Sequence, residues 1–150
     1  MGIVKDYQAY LVEVEAAVDG INKMVMIDEP SELNHFINSL SRSQNCLMAG
    51  VLPAFGNNNP ASGDEYLPKA FVELIVVEKV DVSATFQDGF IEAFDKTYLL
   101  ADQVRLKLLE DHVQGCNIMR MLDPKSIQIV PFNRSQVKGW NVIFTFDIWN

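Results

Sequence analysis

The segment Phe71–Val82, rich in Val and Ile, is the feature that most constrains the fold. Branched and aromatic side chains pack well on a pleated surface, so the segment predicts a β-strand. A strand buries an apolar face only against other elements, so the remaining chain must supply partner strands and a covering layer. The residues on its apolar face are Val72, Leu74, Val76, Val80 and Val82.

The remaining periodicities divide the chain into helices and further strands. Apolar residues recur at spacings of three and four over residues 3–19, which predicts an amphipathic helix ended by Gly20. A second helix is predicted from Ser31 to about Arg42, and a long third helix from Asp88 to about Val113. The other predicted strands are Met24–Ile27, Cys46–Leu52, Ser126–Phe132 and Trp140–Trp149, with a turn over Asn133–Gly139.

This order of elements predicts one α+β domain over residues 1–150. Short links between neighbouring strands favour an antiparallel sheet of about four strands, with the long helix and the N-terminal helices packed on it. Residues 1–28 are candidates for an N-terminal helical arm. Residues 56–66 are expected to form a mobile loop, because the stretch Gly56–Asp64 consists mostly of turn-forming Asn, Gly, Ser and Pro.

Charge and composition exclude several classes of partner. The net charge of −8 argues against nucleic acid and against anionic lipid, both of which are bound by excess Lys and Arg. Charged residues interrupt the N-terminal region, so no signal peptide is expected. Two cysteines do not make a disulfide framework, which favours a reduced, cytoplasmic protein.

The residues that could carry chemistry are few and poorly spaced. His35, Cys46, His112 and Cys116 have the ligand count of a structural zinc site but lack paired-ligand spacing. The sequence has no nucleophile elbow and no glycine-rich phosphate loop. We therefore expect no catalytic residue, no metal and no cofactor.

Glu78 falls on the apolar face of the predicted strand Phe71–Val82. A carboxylate buried there would have its pKa raised, as that of a general acid is. The alternatives are a strand end at Val77, a bulge, or pairing with Lys79 or another cation. These structural explanations outweigh the catalytic one.

Four aromatic residues are candidates for a protein interface: Phe55, Tyr66, Trp140 and Trp149. They lie in or beside predicted loops and at the last strand, where aromatic side chains serve equally as interface anchors or as residues at the core edge. The last strand is apolar on both faces. If helices cover only one side of the sheet, Ile143 and Trp149 are left to be buried against another protein or under the first helix.

The strand Ala70–Val82, the helix Phe90–Val113 and the closing hairpin of Ser126–Phe132 and Gly139–Asp147 together resemble a known pattern. The Pro-containing penultimate strand and the Gly-Trp opening of the last strand are similar to those of tail-completion, or tail-terminator, proteins of bacteriophages and prophages. The resemblance implies a ring-forming homo-oligomer at the head-proximal end of a tail, with loops such as 57–64 meeting neighbouring structural proteins. The alternative is a small bacterial ligand-binding or regulatory domain.

The spacing of the His and Cys residues leads to a first prediction. Purified protein is expected to contain far less than one zinc ion per chain, because no pair of these residues has the spacing of a structural site. Elemental analysis measures the content directly. A stoichiometric zinc content would contradict the prediction.

Overall fold

A computed structural model describes residues 2–41, 44–58, 67–80, 87–115, 117–134 and 136–148. Residues of the predicted 56–66 loop beyond Asn58, together with Tyr66, Cys116 and Trp149, lie outside the described residues. The elements are α1 (Ile3–Ala17), β1 (Lys23–Ile27), a 3₁₀ turn (Pro30–Leu33) leading into α2 (Asn34–Ile37), β2 (Cys46–Asn58), β3 (Leu67–Lys79), α3 (Gln87–Gln114), a second 3₁₀ turn (Ile118–Met121), β4 (Leu122–Arg134) and β5 (Val137–Asp147).

The described strands form one five-stranded sheet in the order β1-β2-β3-β5-β4. The mixed α and β composition and the largely antiparallel pairing confirm the predicted class, with one strand more than the four expected. The fifth strand is β1, at the short apolar run Met24–Ile27 considered as a strand from the sequence, and it pairs with β2 in parallel, Val25 lying opposite Ala49. All other neighbouring strands are antiparallel. Parallel strands need a crossover connection, which here is formed by residues 28–45.

Both long helices, α1 and α3, pack on one face of the sheet. Tyr7 and Leu11 of α1 share a buried core with Leu74 of β3 and with Val104 of α3. In the described part of the segment 1–28, α1 and β1 therefore pack into the domain, where a helical arm was expected. The helix-covered face also contains Val72, Val76, Val142, Phe144 and Phe146, each almost completely buried.

A hydrogen bond joins the two helices at their edge, and its acceptor also takes part in an ion pair within α3. The Tyr10 hydroxyl donates to Asp111 Oδ2 at 2.6 Å, and Lys107 Nζ lies 3.1 Å from the same oxygen. Burial and the bond to Asp111 raise the pKa of Tyr10 above its ordinary value, so the phenol remains a donor at neutral pH.

The crossover connection covers part of the opposite face. Leu33, Ile37 and Leu40 lie against a second apolar cluster that includes Leu47, Ala49, Ile75 and Val77. The helical stretch in this connection ends at Ile37, so the prediction of a helix to about Arg42 is wrong in its extent. Ser39 Oγ donates to the Phe36 carbonyl, and such a bond competes with continuation of the helix.

Several strand boundaries also differ from prediction, and β3 and β4 begin at Leu67 and Leu122, four residues before their predicted starts. β2 continues to Asn58, three residues into the segment expected to be a loop. In the hairpin, β4 and β5 pair as far as Arg134 and Val137, so most of the predicted turn Asn133–Gly139 is strand. Lys138 Nζ donates to Asn133 Oδ1 across this pair, which stabilises extended backbone in a polar stretch.

Two glycines lie so close to neighbouring atoms that an added Cβ would clash, and they lead to a prediction about stability. A Cβ at Gly50 would lie 2.4 Å from Leu11 Cδ1 and 2.9 Å from Met26 Sδ. A Cβ at Gly139 would lie 2.1 Å from the Val76 carbonyl oxygen. We expect Gly50→Ala to cost about 1–2 kcal/mol and Gly139→Ala about 3 kcal/mol or more, because side-chain ends can move aside whereas the backbone of a central strand cannot.

Urea unfolding of the two variants measures both costs. Gly56→Ala is the matched control, since its Cβ would meet only Phe71 Cε2 at 3.3 Å. A larger cost for Gly50→Ala than for Gly139→Ala would contradict the packing described here.

Candidate interaction surface

Three exposed apolar side chains, Leu52, Phe55 and Phe71, lie together on the paired strands β2 and β3. We call them the β2–β3 patch. Phe55 lies opposite Ala70, and Phe71 lies opposite Ala54. The Phe71 ring also reaches over the backbone at Gly56, where a Cβ would approach its Cε2 atom. The patch thus presents apolar surface on both faces at one end of the sheet.

A β-bulge positions this patch. The pairing of β2 with β3 shifts register between Val51 and Ala54, and buried Pro53 lies inside the shift. Pro cannot donate a ladder hydrogen bond, so it is found at edges and bulges of sheets. The extra residue moves Phe55 to the helix-covered face, the face of its partner Ala70. Phe55 remains 55% exposed there.

An ion-pair cluster closes the same end of the sheet. Lys69 Nζ lies 3.1 Å from Asp147 Oδ1 and 3.6 Å from Asp123 Oδ2. The three half-buried side chains join β3, β5 and β4. With both carboxylates shared by one ammonium group, the cluster fixes the strand ends beside the patch.

Trp140 was considered either an interface anchor or a residue at the core edge. Its contacts are those of a core-edge residue. Its indole N–H donates to the Phe94 carbonyl at 2.9 Å. The rings of Phe94 and Tyr98 meet it edge-to-face, at centroid distances of 5.7 Å and 5.4 Å. These contacts pack α3 against β5. Of the four predicted interface residues, the structure thus describes Phe55 and Trp140, and Phe55 is the exposed one.

Glu78 lies at the end of β3 and pairs with a cation from α3. Lys96 Nζ is 3.3 Å from Glu78 Oε1, which also accepts a hydrogen bond of 2.7 Å from Asn45 Nδ2. The second carboxylate oxygen, Oε2, is buried without a partner. Pairing with another cation was one of the structural explanations considered for this residue. The arrangement connects α3 to the start of β2.

The predicted metal-ligand candidates have separate environments. His35 is exposed on α2, whereas His112 Nδ1 lies 2.9 Å from the Met119 carbonyl and donates to it. Cys46 is buried, and burial raises the pKa of its thiol, which disfavours the reactive thiolate. Within the described ranges, no group of three or more His, Cys, Asp and Glu residues is placed to hold a metal ion.

A cleft of about 250 Å³ lies between α1 and the second 3₁₀ turn. The charged residues at its walls are Asp6, Glu13 and Arg120, and Tyr10 and Met121 supply ring and apolar surface. Its volume falls below the range typical of small-molecule sites, about 300–1,000 Å³. The sequence analysis did not anticipate this cleft, since its walls come from segments about a hundred residues apart.

Comparison with known proteins adds no family. No protein-family model matches the chain, and no curated protein matches it significantly. None of the helices in the described residues is long and apolar enough to span a bilayer.

The environment of Trp140 generates a prediction that separates core from interface. Trp140→Phe is expected to lower the free energy of unfolding by about 1–3 kcal/mol, since it removes a hydrogen bond and leaves space beside Phe94. The native mass is expected to be unchanged. Urea unfolding and light scattering on one sample give both values. A lower mass with unchanged stability would instead place Trp140 in an interface.

Proposed function

We propose that this chain is a non-enzymatic structural protein that acts by self-association and by contacts with neighbouring structural proteins. The group of proteins it resembles, the tail-completion proteins of phages and prophages, suggests the setting: a ring at the end of a tail. Its location would then be the cytoplasm during assembly and the virion afterwards. The proposal includes no cofactor, no nucleic acid and no membrane.

The observation that carries the proposal is the β2–β3 patch. Aromatic side chains are large apolar surfaces that proteins usually bury, and Phe55 and Phe71 are both exposed. Exposed apolar side chains gathered at one end of a sheet, here on both of its faces, are typical of protein contacts. The adjoining Lys69 ion pairs connect β3, the strand of Phe71, to β4 and β5. The backbone beneath Phe71 is therefore held in place.

The fold supports the same proposal more weakly. A sheet flanked by a long helix and closed by a C-terminal hairpin is the arrangement on which the resemblance rests. Fold alone does not determine function, so the resemblance supplies only the setting. Genes for portal, tail-tube or head-completion proteins beside the gene for this chain would support that setting.

A second candidate function, that of a ligand-binding or regulatory domain, is favoured by the cleft beside Arg120. Arg120, Asp6 and Glu13 line the same cleft, and a few charged groups around a cleft are of the kind that orients a small ligand. The small volume of the cleft weighs against this function. A thermal shift with small charged metabolites that is lost in Arg120→Gln would support it.

Self-association through the patch is tested by substituting both of its aromatic residues. The native mass of the wild type is expected to rise with concentration in light scattering. In the variant Phe55→Gln/Phe71→Gln, association is expected to weaken at least tenfold, because about 1.5–3 kcal/mol accompanies burial of one such side chain.

The matched control is Val12→Gln, which changes a residue 51% exposed on α1 and is expected to leave the mass unchanged. A wild type that is monomeric at every concentration would remove the self-association part of the proposal. Equal effects of the control and of the double variant would remove the patch from it.

A further inference from the structure

The solvent-facing side of α3 carries a line of exposed apolar residues. Leu99, Leu106 and Val113 follow one another at intervals of seven, with exposed fractions of 64%, 52% and 84%. Seven residues are close to two helical turns, so the three side chains lie almost in line over about 21 Å. We call these three residues the α3 stripe. The opposite side of α3 carries Ala101, Val104 and Leu108, which are completely buried.

Acidic side chains flank the α3 stripe. Asp95 precedes Leu99 by four residues, and Glu110 follows Leu106 by four and precedes Val113 by three, spacings that share one face of a helix. Glu92 lies one interval of seven before Leu99. All three carboxylates are exposed, and in the described part of the chain none of them has an ion-pair partner.

The basic residues of α3 do not neutralise this surface. Each described Lys or Arg of the helix is engaged with another carboxylate. Lys96 pairs with Glu78, Arg105 with Asp102, and Lys107 with Asp111. The surface therefore combines the apolar side chains of the α3 stripe with negative charge beside and between them.

We infer that the α3 stripe is a docking surface for a basic amphipathic helix of a partner protein. Apolar side chains of that helix would pack on Leu99, Leu106 and Val113. Its Lys or Arg residues would lie opposite Glu92, Asp95 and Glu110. Recognition of an amphipathic helix along a line of apolar anchors is a common mode of protein binding, and complementary charge fixes its orientation.

A second copy of the chain fits this surface poorly. Two α3 helices laid side by side would bring together two margins of like charge, on a chain of net charge −8. Asp95 and Asp102 also lie four residues before Leu99 and Leu106, at positions where a self-paired coiled coil needs apolar residues. The inference is thus independent of self-association through the β2–β3 patch.

The test uses a capped synthetic peptide of about 18 residues, long enough to form helix, with Leu along one face and Lys elsewhere. Fluorescence anisotropy of the labelled peptide measures binding to the full chain. Binding is expected, and it is expected to weaken as salt rises from about 0.1 M to about 1 M, since the Debye length falls from about 10 Å to about 3 Å. A peptide with the same residues in scrambled order is expected to bind at least tenfold more weakly.

Variants of the chain locate the binding site. Leu106→Gln is expected to weaken binding of the peptide about tenfold or more, because an apolar contact is lost. Val12→Gln, at nearly the same exposure on α1, is expected to leave it unchanged. Asp95→Asn/Glu110→Gln is expected to weaken binding and to reduce its dependence on salt.

Four results would overturn the inference, of which the first three concern the peptide. They are absence of binding, equal binding by the scrambled peptide, and binding that Leu106→Gln does not weaken, which would make attraction to the acidic chain non-specific. A fourth is a fall in the native mass of the chain alone on Leu106→Gln, since a second copy would then cover the stripe. Failure of the Phe55→Gln/Phe71→Gln test leaves this inference standing, because the two surfaces are changed separately.

Discussion

Burial of the central strand β3 on both faces is the constraint on which the rest of the structure depends. Leu74, Ile75, Val76 and Val77 are consecutive and completely buried, so alternate side chains are covered from opposite sides. Each fully buried aliphatic side chain contributes about 1.5–3 kcal/mol of transfer free energy. Two covering layers are needed to obtain this contribution. α1 and α3 provide one, and the connection between β1 and β2 provides the other.

The second layer follows from the parallel pairing of β1 with β2. A connection between parallel neighbours must cross the sheet, and the face already occupied by α1 and α3 leaves only the opposite one. Leu33, Ile37 and Leu40 are therefore brought onto Ile75 and Val77. The crossover covers only the part of β3 that carries Ile75 and Val77. Phe71 lies farther along β3 on the same face and stays exposed. The exposure of Phe71 is thus a consequence of where the crossover ends.

The two proposed surfaces differ in chemistry and so suit different partners. The β2–β3 patch combines aromatic rings with an ion-pair cluster of one lysine and two aspartates, and we propose that it contacts a second copy of the same chain. The α3 stripe is flanked by exposed carboxylates, which suits a basic partner. A chain with both could join a ring of its own kind and still recognise a different protein. Neither surface requires a side chain that reacts. His35 and His112 lie in separate environments, and Cys46 is buried.

The sequence by itself determined the local elements. Helical spacing predicted α1 and α3, and the Val- and Ile-rich run predicted β3, because these patterns reflect burial of one face or of both. The sequence also placed Phe55 among the interface candidates. It offered pairing with a cation as an explanation for the presence of Glu78 on an apolar strand face. Only the tertiary structure decided which cation paired, since Lys96 is distant along the chain and reaches Glu78 through the packing of α3. It also decided the parallel pairing of β1 and the bulge at Pro53, because strand partners and register arise from contacts between remote segments that no local pattern records.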